Sequence, residues 1–145
     1  MSVSLDHELM VLHLIHWLDD IEAPFRPRAL LTECSLYPKV RNIPPAIQGH
    51  RPDLFAVSKV NFDQCLIGEV KTTDDLEKYR TESQLRSFVR YLMDVDCGYI
   101  VLGVTWSNVP CAKSILRKIL EDEGAKKINA LVVNCSNGLL QRDLW

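Results

Sequence analysis

The chain has no C-x-x-C pair, no long apolar run and no surplus of positive charge, and each absence removes a class of protein. Its five cysteines, Cys34, Cys65, Cys97, Cys111 and Cys135, are odd in number and widely spread. That argues against a zinc ribbon and against a disulfide framework, and for free, mostly buried thiols in a reducing cytosol. The longest apolar stretch, Leu9 to Leu18, is interrupted by His13 and His16. It falls well short of the ~20 residues of a membrane span. Asp6 and Glu8 stand near the start, where a signal peptide would carry basic residues. The expected location is therefore cytoplasmic, away from any membrane. No G-x-x-x-x-G-K, G-x-G-x-x-G or G-x-S-x-G run is present, so ATP-driven and serine-hydrolase chemistry lack support. Seventeen Lys and Arg face nineteen Asp and Glu, a net charge of −2. A nucleic-acid binder would often be basic, so any such role must rest on local charge.

What is present suits one domain over residues 1–145. The hydrophobic fraction of 47% and charged fraction of 25% are those of an ordinary globular chain with one core. Leu5, Leu9, Leu12 and Ile15 recur at helical spacing, with Val11, Leu14 and Leu18 widening the stripe. Ser2 or Ser4 would cap this helix, and Pro24 and Pro27 would end it. Ala29 to Leu36 reads as a strand, and the Pro-rich stretch from Pro38 to Gly49 as a loop. Strands are expected over Asp53–Val57 and Gln64–Lys71, joined near Asn61 and Asp63. Thr81-Glu82-Ser83-Gln84 matches a capping box opening a helix with Leu85, Phe88, Val89 and Leu92 as its core stripe. Gly98 breaks the chain before an apolar strand over Tyr99–Thr105. Pro110 opens a further helix that Gly124 stops, and Ile128–Val133 is a last strand.

Two short segments carry the chemistry. Arg51-Pro52-Asp53 places an acid at the head of one strand, and Ile67-Gly68-Glu69-Val70-Lys71 closes the next with an acid and a lysine. Residues i and i+2 of a strand share a face, so Glu69 and Lys71 project together while Val70 turns to the other side. If the two strands pair, Asp53, Glu69 and Lys71 converge. Two carboxylates, with the main-chain carbonyl of Val70, offer oxygen ligands to a hard divalent cation such as Mg²⁺.

Pro52-Asp53 and Glu69-Val70-Lys71 resemble the two halves of the PD-(D/E)XK nuclease signature, and the expected element order supports the resemblance over about Leu5 to Thr105. It implies an α/β fold: a restriction-endonuclease-like α-β-β-β-α-β core, a mixed sheet flanked by helices, here with a C-terminal α-β extension. It also implies an activity, metal-dependent hydrolysis of DNA phosphodiesters by an endonuclease using Mg²⁺ or Mn²⁺. Asp53, Glu69 and the Val70 carbonyl would hold the metal, and Lys71 would position the attacking water. Many members add an acid from the first helix; Glu8 is the candidate here, with Glu22 and Glu33 behind it. Glu8 equally suits the positive end of a helix dipole. Gln84 matches a substrate-orienting position in some branches, although its capping-box role explains it as well. Arg80 and Arg86, with Lys78 and Arg90, would meet DNA phosphates or else form a solvated helix face balanced by Glu77 and Glu82. His50, just before the first acid, would contact phosphate or serve as a loop residue. His13 and His16 lack an acid or cysteine to complete a ligand set and read as structural, and Lys113, Arg117, Lys118, Lys126 and Lys127 as plain surface. DNA is the expected partner, and a small single-domain nuclease is expected to act as a homodimer. The alternative is a catalytically silent DNA-binding or protein-interaction subunit, with Leu139-Leu140 and Leu144-Trp145 as a docking tail or a cover for the core.

Overall fold

The computed structural model describes residues 5–19, 28–37, 43–58 and 64–135. The expected caps at Ser2 or Ser4, the helix stop at Pro24 and Pro27, the Pro38 loop start, the turn near Asn61 and Asp63, Glu22 and the Leu139–Trp145 tail lie outside these residues. The elements are α1 (Leu5–Leu18), β1 (Arg28–Thr32), β2 (Leu54–Ser58), β3 (Gln64–Val70), α2 (Tyr79–Leu92), β4 (Cys97–Val104), a short 3-10 turn (Trp106–Asn108), α3 (Val109–Glu123) and β5 (Asn129–Asn134). The five strands form one mixed sheet in sequence order. β1, β2 and β3 are antiparallel neighbours; β3, β4 and β5 run parallel. The change follows from the connections, because parallel neighbours need a crossover and α2 and α3 supply the two here.

The strand period of two sorts the side chains into layers. Phe55, Ile67, Ile100 and Leu102 face α2 and α3, meeting Leu85, Phe88, Leu116 and Ile119. Leu54, Ala56, Leu66 and Val101 face α1, meeting Met10, Leu14, Ile15 and Leu18. Helices thus flank the sheet on both sides. The α1 side is close-packed: an added Cβ on Gly68 would lie 3.2 Å from a Leu14 methyl, and one on Gly103 only 2.9 Å from Cys135 Sγ.

Four details differ from expectation. The first strand ends at Thr32, not Leu36, because the Thr32 hydroxyl accepts the Cys34 N–H and the chain turns through Cys34–Tyr37. α2 opens at Tyr79, two residues before the expected capping box, and Lys78 precedes it without a side-chain cap. Thr81 lies inside the first turn and its hydroxyl donates to the Asp75 carbonyl at 2.6 Å. Gly98 sits within β4 rather than ahead of it, where an added Cβ would lie 3.1 Å from Leu92. The segment before Asp53 contains a tight hairpin in which Ile47 and His50 exchange backbone bonds of 2.7 and 3.0 Å. Gln48 and Gly49, at φ 51° and 82°, give it the doubly positive φ of a type I′ turn. Elsewhere Pro110 opens α3 and Gly124 ends it in the left-handed conformation, as expected. The thiols Cys34, Cys65 and Cys135 are buried, Cys97 and Cys111 half-buried, and all five are free.

Candidate functional site

The antiparallel pairing of β2 with β3 sets Leu54 opposite Gly68, so Asp53 and Glu69 face each other at the next step. This is where the carboxyl ends of the parallel strands β3 and β4 lie, the end at which open α/β sheets usually bind ligands. The Asp53 N–H donates to Glu69 Oε1 at 3.0 Å. The Val70 N–H returns a bond of 2.9 Å to Asp53 Oδ2. The Thr32 hydroxyl donates to the Asp53 carbonyl at 2.8 Å, tying β1 to the same corner. Asp53 is therefore held by side chain and main chain alike.

Lys71 follows Glu69 on the same face, as the strand period requires, and Val70 is buried on the other. The Lys71 ammonium lies 3.2 Å from Glu69 Oε2. It donates to Gln84 Oε1 at 2.7 Å. Glu69 is 3% exposed and Gln84 8%. Burial, reinforced by the Asp53 carboxylate, pushes the Glu69 carboxyl well above its ordinary range, with Lys71 pulling the other way. Paired like charges of this kind need a proton or a cation between them.

The first helix supplies a side chain not anticipated from sequence. His7 Nε2 lies 3.3 Å from Asp53 Oδ2. That hydrogen bond raises the imidazole above its ordinary value, against an opposing effect of burial. Glu8 turns elsewhere: its Oε2 accepts the Ser35 N–H at 2.7 Å and the Ser35 hydroxyl at 2.8 Å. Consecutive helical residues point about 100° apart, so a helix offers one of the two to a given spot. The sequence signal was the pair His7-Glu8 in a first turn, with the acid drawing attention from its neighbour.

The basic residues divide. Arg86 lies about 200° around the helix from Gln84, and its guanidinium bonds Glu82 at 2.7 Å, Asp122 at 2.9 Å and Glu123 at 3.3 Å. Arg90 pairs with Glu123 at 2.6 Å and Lys78 with Asp75 at 2.7 Å. These contacts stitch α2 to α3 and cap a loop, so the structure does not bring Arg86 to the site. Arg80 is exposed, makes no ion pair with a described residue, and sits one turn before Gln84 on the same helix face. The His50 ring stacks edge-on against Phe88 at 6.5 Å, beside α2. His16 is exposed and His13 half-buried. Glu33 pairs with Arg51 at 3.4 Å.

Among the described residues no group of three or more His, Cys, Asp or Glu is arranged to hold a metal ion. Mg²⁺ does not require one, since it is usually bound through one or two carboxylates, with water and substrate oxygens completing the shell. The donor set fits that pattern. The Lys71 N–H donates to the Gly103 carbonyl in β4. In a trans peptide the preceding C=O points the opposite way, so the Val70 carbonyl faces the β2 side, toward Asp53. Asp53, Glu69 and that carbonyl thus present hard oxygens to one corner of the sheet. No helix among the described residues is long and apolar enough to cross a membrane. Compared with known proteins, the chain matches no family model, no curated protein and no solved structure.

Proposed function

We propose that this chain is a metal-dependent nuclease, an endonuclease hydrolysing DNA phosphodiesters on a restriction-endonuclease-like core. The observation that carries this reading is the direct opposition of Asp53 and Glu69 on paired strands, with the Lys71 ammonium 3.2 Å from Glu69. The order α1-β1-β2-β3-α2-β4 matches the α-β-β-β-α-β core that the motif implies, and α3-β5 extends it. Asp53, Glu69 and the Val70 carbonyl would hold Mg²⁺ or Mn²⁺, which would polarise the phosphodiester and acidify a water. Lys71 has the position to orient that water and to offset charge building on the phosphate, and Gln84 fixes where the ammonium sits. Arg80, exposed one turn before Gln84, would meet a phosphate next to the one cut. The described residues form one such site, and a homodimer would bring two of them to the two strands of a duplex.

A second reading has one observation in its favour. Glu69 Oε1 and Oε2 already have protein partners, as they would in a nuclease-like domain that binds DNA or protein without cutting. Incubation of the purified protein with plasmid, linear duplex, single-stranded and four-way-junction DNA, in Mg²⁺, Mn²⁺ or EDTA, separates the two. The nuclease reading expects metal-dependent cutting that falls by at least about 100-fold in Asp53→Ala and Lys71→Ala, the scale of losing one transition-state contact. Folded wild-type protein that cuts none of these substrates would leave the second reading standing.

A further inference from the structure

We infer that His7 is a positioning residue for the metal site, acting through Asp53. This rests on the nuclease reading and adds to it a group from α1.

What fixes the Asp53 carboxylate decides how well it can serve a metal. An aspartate side chain has two torsions, and a metal ligand must be held in one orientation to be useful. Asp53 Oδ2 receives the Val70 N–H at 2.9 Å from β3 and meets His7 Nε2 at 3.3 Å from α1. A carboxylate only accepts, so the proton of this bond resides on Nε2. Two donors from two elements converge on a single oxygen. That sets the plane of the carboxylate beside Glu69, whose Oε1 accepts the Asp53 N–H at 3.0 Å. The Val70 bond alone would leave the carboxylate free to rotate about it. His7 removes that freedom.

The placement of His7 is not incidental. α1 is seated close on the sheet, with Leu14 against the bare backbone positions Gly68 and Gly103. Its first turn therefore has a fixed height over the end of β2. His7 is half-buried there, while its neighbour Glu8 is tied to Ser35 on β1's exit. Partners that orient metal ligands commonly matter by about 10- to 100-fold in metal affinity.

Calorimetric titration with Mn²⁺ of wild type, His7→Ala, His7→Gln and Glu69→Gln tests this, beside thermal melts in EDTA to establish folding. The expected result is binding by wild type, an affinity about 10- to 100-fold weaker in His7→Ala, and substantial recovery in His7→Gln, which keeps an N–H donor. Cleavage by His7→Ala should then return at raised Mn²⁺, with KM for DNA unchanged, which a merely structural lesion would not do. Folded His7→Ala with wild-type Mn²⁺ affinity overturns the positioning role and leaves the nuclease reading intact. Failure of wild type itself to bind Mn²⁺ overturns both, and binding undiminished in Glu69→Gln places the metal elsewhere.

Discussion

Glu69 is the residue on which the chemistry and the stability of this chain pull against each other. Its carboxyl is raised well above its ordinary 4.5 by burial and by Asp53, so between 4.5 and that raised value the folded state holds a proton the unfolded state has lost. Stability must fall as pH rises through this window. His7, raised above its ordinary 6.5, acts in the same direction: its contribution is complete below 6.5 and disappears as pH climbs through the folded value. The metal-free protein should therefore melt at lower temperature as pH rises from 4.5 through the raised values of Glu69 and His7, and a neutral Glu69→Gln chain should show a flatter profile. Added Mn²⁺ should oppose the decline, because a cation favours the charged carboxylate. Melting curves in EDTA and in Mn²⁺ across this range check both statements; a wild-type melting temperature that rises with pH in EDTA would contradict them. Asp53, Glu69, Lys71 and Gln84 were legible in the sequence because a strand's period of two and a strand pair suffice to bring the first three together. His7 was not, since nothing in a helical pattern says at what height the helix docks on its sheet.

At the scale of elements, boundaries proved less legible than their existence. The capping-box pattern at Thr81 to Gln84 named real residues but the wrong turn, because the Thr81 hydroxyl found the Asp75 carbonyl and the helix began at Tyr79. Gly98 was read as a breaker, yet the close approach of Leu92 accounts for a glycine inside β4. The packing of α1 yields a sharper test. Gly103→Ala places a Cβ 2.9 Å from Cys135 Sγ and 3.2 Å from a Val70 methyl, so one of them must move. Overpacking of this kind costs about 1–3 kcal/mol. A second change, Cys135→Ala, removes the nearer obstacle. Denaturant unfolding of both single variants and the double should show non-additivity, with the double losing less than the sum. Strict additivity would mean that the sulfur is not the obstacle.

On the scale of the whole molecule, the basic residues on α2 and just before it are mostly paired. Arg86 and Arg90 are paired with carboxylates of α3 and Lys78 with Asp75 in the loop before α2, so among the described residues of this region Arg80 makes no ion pair and Lys71 pairs with Glu69 inside the candidate site. On the nuclease reading, DNA held at the site through Lys71 and Arg80 should bind in Ca²⁺ with only a weak dependence on salt, a slope near −2 if two phosphates are met at about −0.9 each. A slope beyond about −5 would require a basic surface elsewhere. The α2–α3 clamp also has an acid limit. Arg90, then Arg86, hold Glu123 below its ordinary 4.5, so its contribution is present above 4.5 and lost as pH drops through the lowered value. A mixed sheet flanked by helices was expected from the resemblance, but which helix lies on which face was not, because the apolar stripes do not say on which side a helix docks. Nor was the clamp between the helices, because Arg86 and Glu123 are 37 residues apart and no local pattern joins them.

The contact of Leu14 with Gly68 and Gly103 bears on how finely the site can be tuned. Gly68 immediately precedes Glu69, and the Gly103 carbonyl accepts the Lys71 N–H. With no side chain at either position, Leu14 packs close over Gly68 and reaches toward Gly103, beside the backbones that aim the acid and the ammonium. Such a seat has little play. A small displacement of α1 would carry over to the direction of Glu69 and Lys71 as well as to the reach of His7, so substitutions at Leu14, an apolar and fully buried side chain, should misalign all three together.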